Sequence, residues 1–344
     1  MSCRIGGPIV HDFIDSTGIS DDAAALTARM RRDGYLLLRN LIPVAEIAAL
    51  QRQIAAIARD AGWLRADAPL EAALADPAGF CVDPEPRYLE VLRRINRLEA
   101  YHTLKHHPAL TGFFTRLLGA PVFPHPRVLM RNIFPQREEF TTKAHQDFPN
   151  VQGTEEVYTA WFPLLDCPLE LGPLQIAAGT HLDGVYDFHI GAGAGGIEIT
   201  DPLEGRWHAG PMQAGDVLVF HSMTVHKGLP NRSERLRMSM DVRFQRVADP
   251  FCPDNANPDG QPLTWEEVYA GWQDTSLQYY WRRLKLTPKP FDPQWFHKRD
   301  ALAFELAEAG DPRAASVLQR IVARDADPAR RQRAQALLDR LTPA

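Results

Sequence analysis

The sequence predicts an α+β protein: an antiparallel β sandwich or jelly roll, with helices before it and a helical extension behind it. Three observations carry that reading. Between residues 121 and 247 short apolar runs are separated by Gly, Pro, Asn and Asp clusters, with little helical spacing among them. Upstream, apolar residues recur every three or four positions. Beyond about residue 250 helical spacing returns. Many short strands with turn punctuation suit a sandwich or a cupin-like jelly roll. The expected division is a core over residues 1–250 and a C-terminal helical extension over 251–344 packed on it.

The elements follow in order. Residues 21–32 read as a helix capped by Ser20 or Asp21 and stopped by Gly34. The apolar run 35–38 reads as a buried strand. Pro43 opens a second helix, whose Ile47, Leu50, Ile54 and Ile57 form one stripe. Prolines make 62–86 loop-rich, and 88–101 and 108–118 read as helices, the latter ended by Gly119. Strands are expected over 122–134, 157–165, 174–177, 197–200, 216–220 and 236–244. The glycine-rich run 191–196 lacks the pattern of a phosphate loop and reads as a flexible excursion. A connector spans 251–264, an aromatic helix 265–284, and three more helices 300–309, 313–324 and 329–341. Asp311-Pro312 and Asp327-Pro328 are spaced like repeat starts, but two units are too few for a solenoid.

Composition narrows the function classes. With 45% hydrophobic and 24% charged residues the chain reads as soluble and globular. Its 344 residues suffice for a large core. A formal net charge of −5 argues against a general nucleic-acid binder. No apolar run is long enough for a membrane span, and the N-terminus lacks a secretory pattern. Cys3, Cys81, Cys167 and Cys252 are far apart and form no CxxC, which suits a reduced, cytoplasmic protein.

The stretch with chemistry in it is His145-Gln146-Asp147. On an extended strand, residues two apart share a face, so imidazole and carboxylate can reach one metal ion together. A second imidazole would complete the two-His-one-carboxylate face of non-haem Fe(II) oxygenases. With 12 histidines in the chain, about one His-x-Asp arises by chance. A second copy, His181-Leu182-Asp183, follows Gly179-Thr180 and precedes Gly184, and reads as a turn. His208, His221 and His226 are all candidates for the remaining ligand. Arg237 sits in an apolar strand. Facing inward it needs an anion, because a buried unpaired guanidinium is costly and its fork suits a carboxylate. Facing outward it is one more solvated arginine beside Arg235 and Arg243.

Several motifs in order resemble the phytanoyl-CoA dioxygenase family: Asp33-Gly34-Tyr35, His145-Gln146-Asp147, Trp161-Phe162-Pro163-Leu164, Gly172-Pro173-Leu174, Gly179-Thr180-His181, Gly215-Asp216, His226 and Arg237. The resemblance spans roughly residues 20–247 and leaves out the C-terminal extension. It implies a double-stranded β-helix core and an enzyme that uses Fe(II), 2-oxoglutarate and O2 to hydroxylate a small molecule, with succinate and CO2 as co-products. It further implies that His145, Asp147 and His226 bind iron and that Arg237 binds the distal carboxylate of 2-oxoglutarate. Met130 and Trp161 match positions lining the co-substrate pocket in relatives, and His181 becomes structural. In halogenating relatives a small residue replaces the carboxylate, so Asp147 implies oxygenation. Desaturation, epoxidation and rearrangement use the same metal ligands. Gln152, Trp207, His208, Phe148 and Arg131 are candidates to face the substrate, and the aromatic C-terminal segment is expected over the active-site mouth. Two rival classes are a cupin-like metal hydrolase or isomerase, and a binding protein acting through its helical tail.

Overall fold

The computed structural model describes residues 10–191, 196–259 and 262–341. Most of the glycine-rich run, and Cys3, lie outside the described residues. Strand β1 (His11–Asp12) is followed by helix α1 (Ala23–Asp33). Asp22 rather than Ser20 or Asp21 caps α1, accepting the Ala25 N–H at 3.0 Å. Gly34 ends the helix with φ 73°, a conformation open to glycine at no steric cost. A β-carbon at Gly34 would also lie 2.5 Å from His181 Nδ1. Next come β2 (Tyr35–Leu38) and α2 (Val44–Asp60), which starts after Pro43 and buries Ile47, Leu50 and Ile54. The expected helix over 88–101 is two pieces, α3 (Pro86–Asn96) and a turn at Glu99–Thr103. His102 Nε2 meets the Asn96 carbonyl across the break at 2.8 Å. Helix α4 (Pro108–Leu118) closes this half.

The β region holds β3 (Val122–Ile133), β4 (Tyr158–Pro163), β5 (Leu174–Ala177), β6 (Trp207–Ala209), β7 (Val217–His221), β8 (His226–Gly228) and β9 (Arg237–Arg246). The larger sheet runs β2-β7-β4-β9-β3 with every neighbouring pair antiparallel. The smaller runs β1-β6-β5-β8, with only β1 and β6 parallel. Three-residue strands such as β6 and β8 leave too little alternation to be seen in the sequence.

Strand register sorts the larger sheet into two faces. Met238, Met240, Val242 and Phe244 of β9 point to the helices, where Phe114 of α4 stacks on Phe244 at 4.0 Å. The other face carries Arg237, Ser239, Asp241 and Arg243, with Asp241 opposite Trp161 and Arg243 opposite Thr159. Phe220 shares that face and packs on His226 of the smaller sheet, ring centroids 4.4 Å apart. Four polar residues thus line the space between the sheets, where burial is expensive without a purpose.

The C-terminal segment differs from expectation. Only Trp265–Tyr269 is helical within 265–284, followed by a 3₁₀ turn at Tyr280–Arg283. Gly271 and the positive φ of Tyr279 interrupt the helix. Its aromatic rings cluster on Phe123 and Phe251. Helices α5 (Gln294–Glu308), α6 (Ala315–Arg324) and α7 (Pro328–Leu341) share a separate apolar cluster that includes Ile190 of the core.

Candidate active site

His145 joins the smaller sheet through a single bridge to His226. Each backbone N–H donates to the other's carbonyl, at 2.9 and 3.0 Å. Residues paired this way present side chains on one face, and the two rings lie 4.2 Å apart. Asp147 arrives differently from the strand expected. Its backbone is helical, φ −72° and ψ −33°, and it opens the short helix Phe148–Val151, which Pro149 favours at its start. The two ligands nevertheless converge: His145, Asp147 and His226 offer atoms all within 4.8 Å of one another.

The surroundings fix each of them. His145 Nδ1 lies 2.7 Å from the Lys143 carbonyl and His226 Nδ1 lies 3.0 Å from the Thr224 carbonyl. Both Nδ1 atoms therefore carry the proton, and both Nε2 lone pairs are left for a metal. Burial first, then His226, lowers the His145 pKa to about 3, so the ring is neutral near pH 7. Asp147 Oδ2 accepts from Thr159 Oγ1 at 2.6 Å, and Oδ1 from Arg243 at 3.0 Å. Burial raises the Asp147 pKa, but Arg243 and then the two histidines pull it down further, and the net shift is well below the carboxylate range. A buried, ionised carboxylate beside two imidazoles that both turn Nε2 inward is a donor set for a divalent transition metal. Arg243→Gln is expected to weaken Fe(II) binding about 10- to 100-fold, the usual cost of losing a partner behind a metal ligand. Metal titration of the folded variant checks this, and unchanged affinity contradicts it.

Arg237 faces inward and is 2% exposed. Its Nη1 donates to the Gly172 carbonyl, while Nε has no partner. Burial lowers its pKa, and Cys167 and Asp241 only partly offset that. Ser239 Oγ, Trp161 Nε1 and Thr141 Oγ1 are likewise buried and unpartnered. Trp161, Ser239 and Arg237 share one sheet face. A row of unmet donors ending in a guanidinium fits a bound carboxylate. Met130 pairs with Met240 on the helix side, and its neighbour Arg131 takes the inward position.

The other histidines are engaged elsewhere. His181 Nε2 meets the Arg31 carbonyl at 3.1 Å in a 3₁₀ turn. His208 Nδ1 lies 3.1 Å from the Tyr35 hydroxyl. His221 accepts the Met223 N–H at 3.1 Å. Of the substrate-facing candidates, Arg131 borders the triad, whereas Trp207 packs under Lys227 and Gln152 holds Asp292.

A cavity of about 180 Å³ opens on the triad, with His145, Asp147, Met130 and Arg243 in its wall. The C-terminal aromatic cluster is not its cover. Asn255, Asp259, Phe296, Arg299 and Arg320 take that place. Sequence reasoning missed Thr159 and Arg243 as supports of Asp147. Arg243 is six residues from Arg237, so period-two alternation puts both on one face and was a usable signal. Nothing in the local sequence marks Arg299 or Arg320.

A buried His-Asp-His face beside a cavity and an inward arginine defines a mononuclear metal enzyme. The chain belongs to the phytanoyl-CoA dioxygenase family, whose model matches residues 30–239. It is therefore a non-haem, Fe(II)- and 2-oxoglutarate-dependent dioxygenase of hydroxylase type. A 1-deoxypentalenic acid 11-beta-hydroxylase of Streptomyces exfoliatus is 29% identical over 256 residues, covering 69% of this chain and 86% of that protein. Among solved structures, the epimerase SnoN with Fe3+, alpha ketoglutarate and nogalamycin RO is 22% identical, covering 67% of this chain and 86% of that one, with a TM-score of 0.46. The carbocyclase SnoK from nogalamycin biosynthesis is 20% identical, covering 72% and 89%, with a TM-score of 0.47. These structural likenesses are distant. Among the described residues no helix is long and apolar enough to cross a membrane.

Proposed function

We propose that this chain hydroxylates a C–H bond of a small molecule, with His145, Asp147 and His226 holding iron and Arg237 holding 2-oxoglutarate. The observation that carries the reading is the pairing of a tied-down triad with an inward arginine whose Nε is unmet. Bound together, iron, 2-oxoglutarate and O2 supply an oxidant for the substrate C–H bond, leaving succinate and CO2. The chain's own residues supply order. The Lys143 and Thr224 carbonyls aim the two Nε2 atoms. Thr159 and Arg243 hold Asp147 ionised and oriented. Arg237 receives the far carboxylate, and Trp161, Ser239 and Thr141 stand ready as donors beside it. Tyr88, Leu92, Val151 and Phe296 give an otherwise polar cavity an apolar side.

The two sheets are read as a double-stranded β-helix, with a catalytic unit over 1–250 and the helical extension over 251–344. Met130, buried and part of the cavity wall, is assigned a packing part in the co-substrate pocket. Three buried, unpaired cysteines, Cys81, Cys167 and Cys252, support a cytoplasmic setting. Anaerobic titration of Fe(II) into protein with 2-oxoglutarate tests the assignment. A visible metal-to-ligand charge-transfer band is expected. Its absence from folded, metal-loaded protein removes the co-substrate and favours a hydrolase or isomerase using the same triad.

A further inference from the structure

Asp147 sits on backbone that no strand ladder holds. It opens the single helical turn Phe148–Val151, which Gln152 closes. The Asp147 carbonyl accepts the Asn150 and Val151 N–H groups at 3.0 and 3.1 Å, and the Phe148 carbonyl accepts that of Gln152 at 2.8 Å. One turn is too short to hold itself, because the first helical hydrogen bonds fix several residues each for little return. Thr159 and Arg243 fix the carboxylate tip. The backbone beneath it must be held from outside the turn.

At its start the hold comes from the core, where the Phe148 N–H donates to the Ser222 carbonyl at 3.0 Å. At its end every hold comes from residue 250 onward. Gln152 Nε2 donates to the Asp292 carbonyl at 2.8 Å, and Gln152 Oε1 accepts the Asp292 N–H at 2.7 Å. The amide thus exchanges two hydrogen bonds with one residue, as a paired strand does. The same Nε2 reaches back to the Pro149 carbonyl at 3.1 Å. Asn255 Nδ2 donates to the Val151 carbonyl at 2.7 Å. Gly153 lies so close to Pro250–Cys252 that a β-carbon there would stand 2.7 Å from the Cys252 nitrogen. Asp292 directly precedes α5, whose Phe296 and Arg299 line the triad cavity together with Asn150 and Val151. All of these partners lie beyond the family match, which ends at residue 239.

Gln152 also holds backbone angles that suit glycine better, φ 52° and ψ −155°. A residue kept in such a conformation points to a use for its side chain. We propose that Gln152 is a positioning residue for the metal site, and that the C-terminal extension, through Asp292, sets the turn that carries Asp147. The extension is then a working part of the site. The role rests on the reading of Asp147 as an iron ligand; the clamp itself does not.

Anaerobic Fe(II) titration of the full-length protein tests this, with the parent, Gln152→Gly, Asn255→Leu and Ile54→Ala compared. Glycine suits the backbone at 152 and removes only the amide. Gln152→Gly is expected to weaken Fe(II) binding about tenfold, in the range for losing a support behind a metal ligand. Asn255→Leu is expected to weaken it severalfold. Ile54→Ala, at a buried position in α2, is expected to melt lower than the parent and to bind Fe(II) as the parent does. Hydrogen exchange of the metal-free protein gives a second reading: in Gln152→Gly, amides 148–153 and those at the start of α5 should lose protection together. A Gln152→Gly protein that binds Fe(II) like the parent overturns the positioning role, whatever its stability. A loss of affinity that Ile54→Ala shares also overturns it. Loosening of 148–153 that leaves α5 untouched overturns the part assigned to the extension. If Gln152→Gly does not fold, Asn255→Leu carries the same test through the other tie. A parent that binds no Fe(II) removes the triad reading and this role with it, whereas equal binding by parent and variants removes the role alone.

Discussion

Replacing His226 with alanine is expected to abolish the iron-dependent charge-transfer band and to lower turnover by a thousandfold or more. The imidazole is buried, its Nδ1 is engaged with the Thr224 carbonyl, and its ring packs on Phe220. Its Nε2 is thus held toward the proposed metal position, and among the described residues no other His, Cys, Asp or Glu joins that group. A metal contact contributes several kcal/mol at the reacting centre, and each loss of about 1.4 kcal/mol is tenfold in rate. The cavity left behind would also cost stability, on the order of 1–3 kcal/mol, so the variant is compared by melting curve before its metal binding is read. His181→Ala is the matched control. It removes the histidine of the second His-x-Asp motif, whose ring meets the Arg31 carbonyl on the far side of Gly34. That variant is expected to keep the band. A folded His226→Ala protein with a full band, or a His181→Ala protein without one, would remove the assignment of the triad.

How far these residues were legible depends on the distance over which each is specified. His145 and Asp147 share a tripeptide, and their candidacy needed no fold. The stated reason was only half correct, since Asp147 leaves the strand for a helical turn. What brings its carboxylate to the histidines is Arg243 and Thr159, opposite each other on neighbouring strands. Pairing across strands is a tertiary fact, and a single chain does not display it. Choosing His226 over His208 and His221 required the family resemblance, because the strand β8 is three residues long and has no pattern of its own. The long strands and the helices with apolar stripes were visible because repetition within one element specifies them. The segment 265–284 misled for the opposite reason: aromatic density resembled a buried helix, whereas its rings pack as a cluster around short turns.

One strand connects the site's two halves. Along β9, Arg237, Ser239, Asp241 and Arg243 share a face, with the proposed metal ligand Asp147 held at one end and the unmet guanidinium at the other. Asp241, between them, has its pKa raised, chiefly by burial, against the opposing pull of Arg131 and Arg243. The inner face of β9 thus carries charge, whereas its other face buries Met238, Met240, Val242 and Phe244, with Phe114 of α4 stacked on Phe244. Stability comes from the one face and chemistry from the other.

Arg237 makes that division measurable. Arg237→Met is expected to weaken 2-oxoglutarate binding by two to three orders of magnitude, since truncating one partner of a buried charge pair costs about 2–5 kcal/mol. Fe(II) binding alone should persist, because the triad does not contact this residue's one hydrogen-bond partner, the Gly172 carbonyl. Arg237→Lys should recover part of the loss, keeping the charge without the fork. The sign of the stability change separates this from general damage. Without 2-oxoglutarate, Arg237 is a buried cation with an unpaired Nε, and an apolar side chain of similar length removes that burden. The metal-free variant is therefore expected to melt no lower than the parent. Added 2-oxoglutarate should raise the melting temperature of the iron-loaded parent, because it binds only the folded state. It should leave that of Arg237→Met unchanged. A variant that still responds to 2-oxoglutarate like the parent places the co-substrate's carboxylate on another residue. A variant that melts far below the parent without ligand makes Arg237 a structural residue and takes the strongest argument for the co-substrate with it.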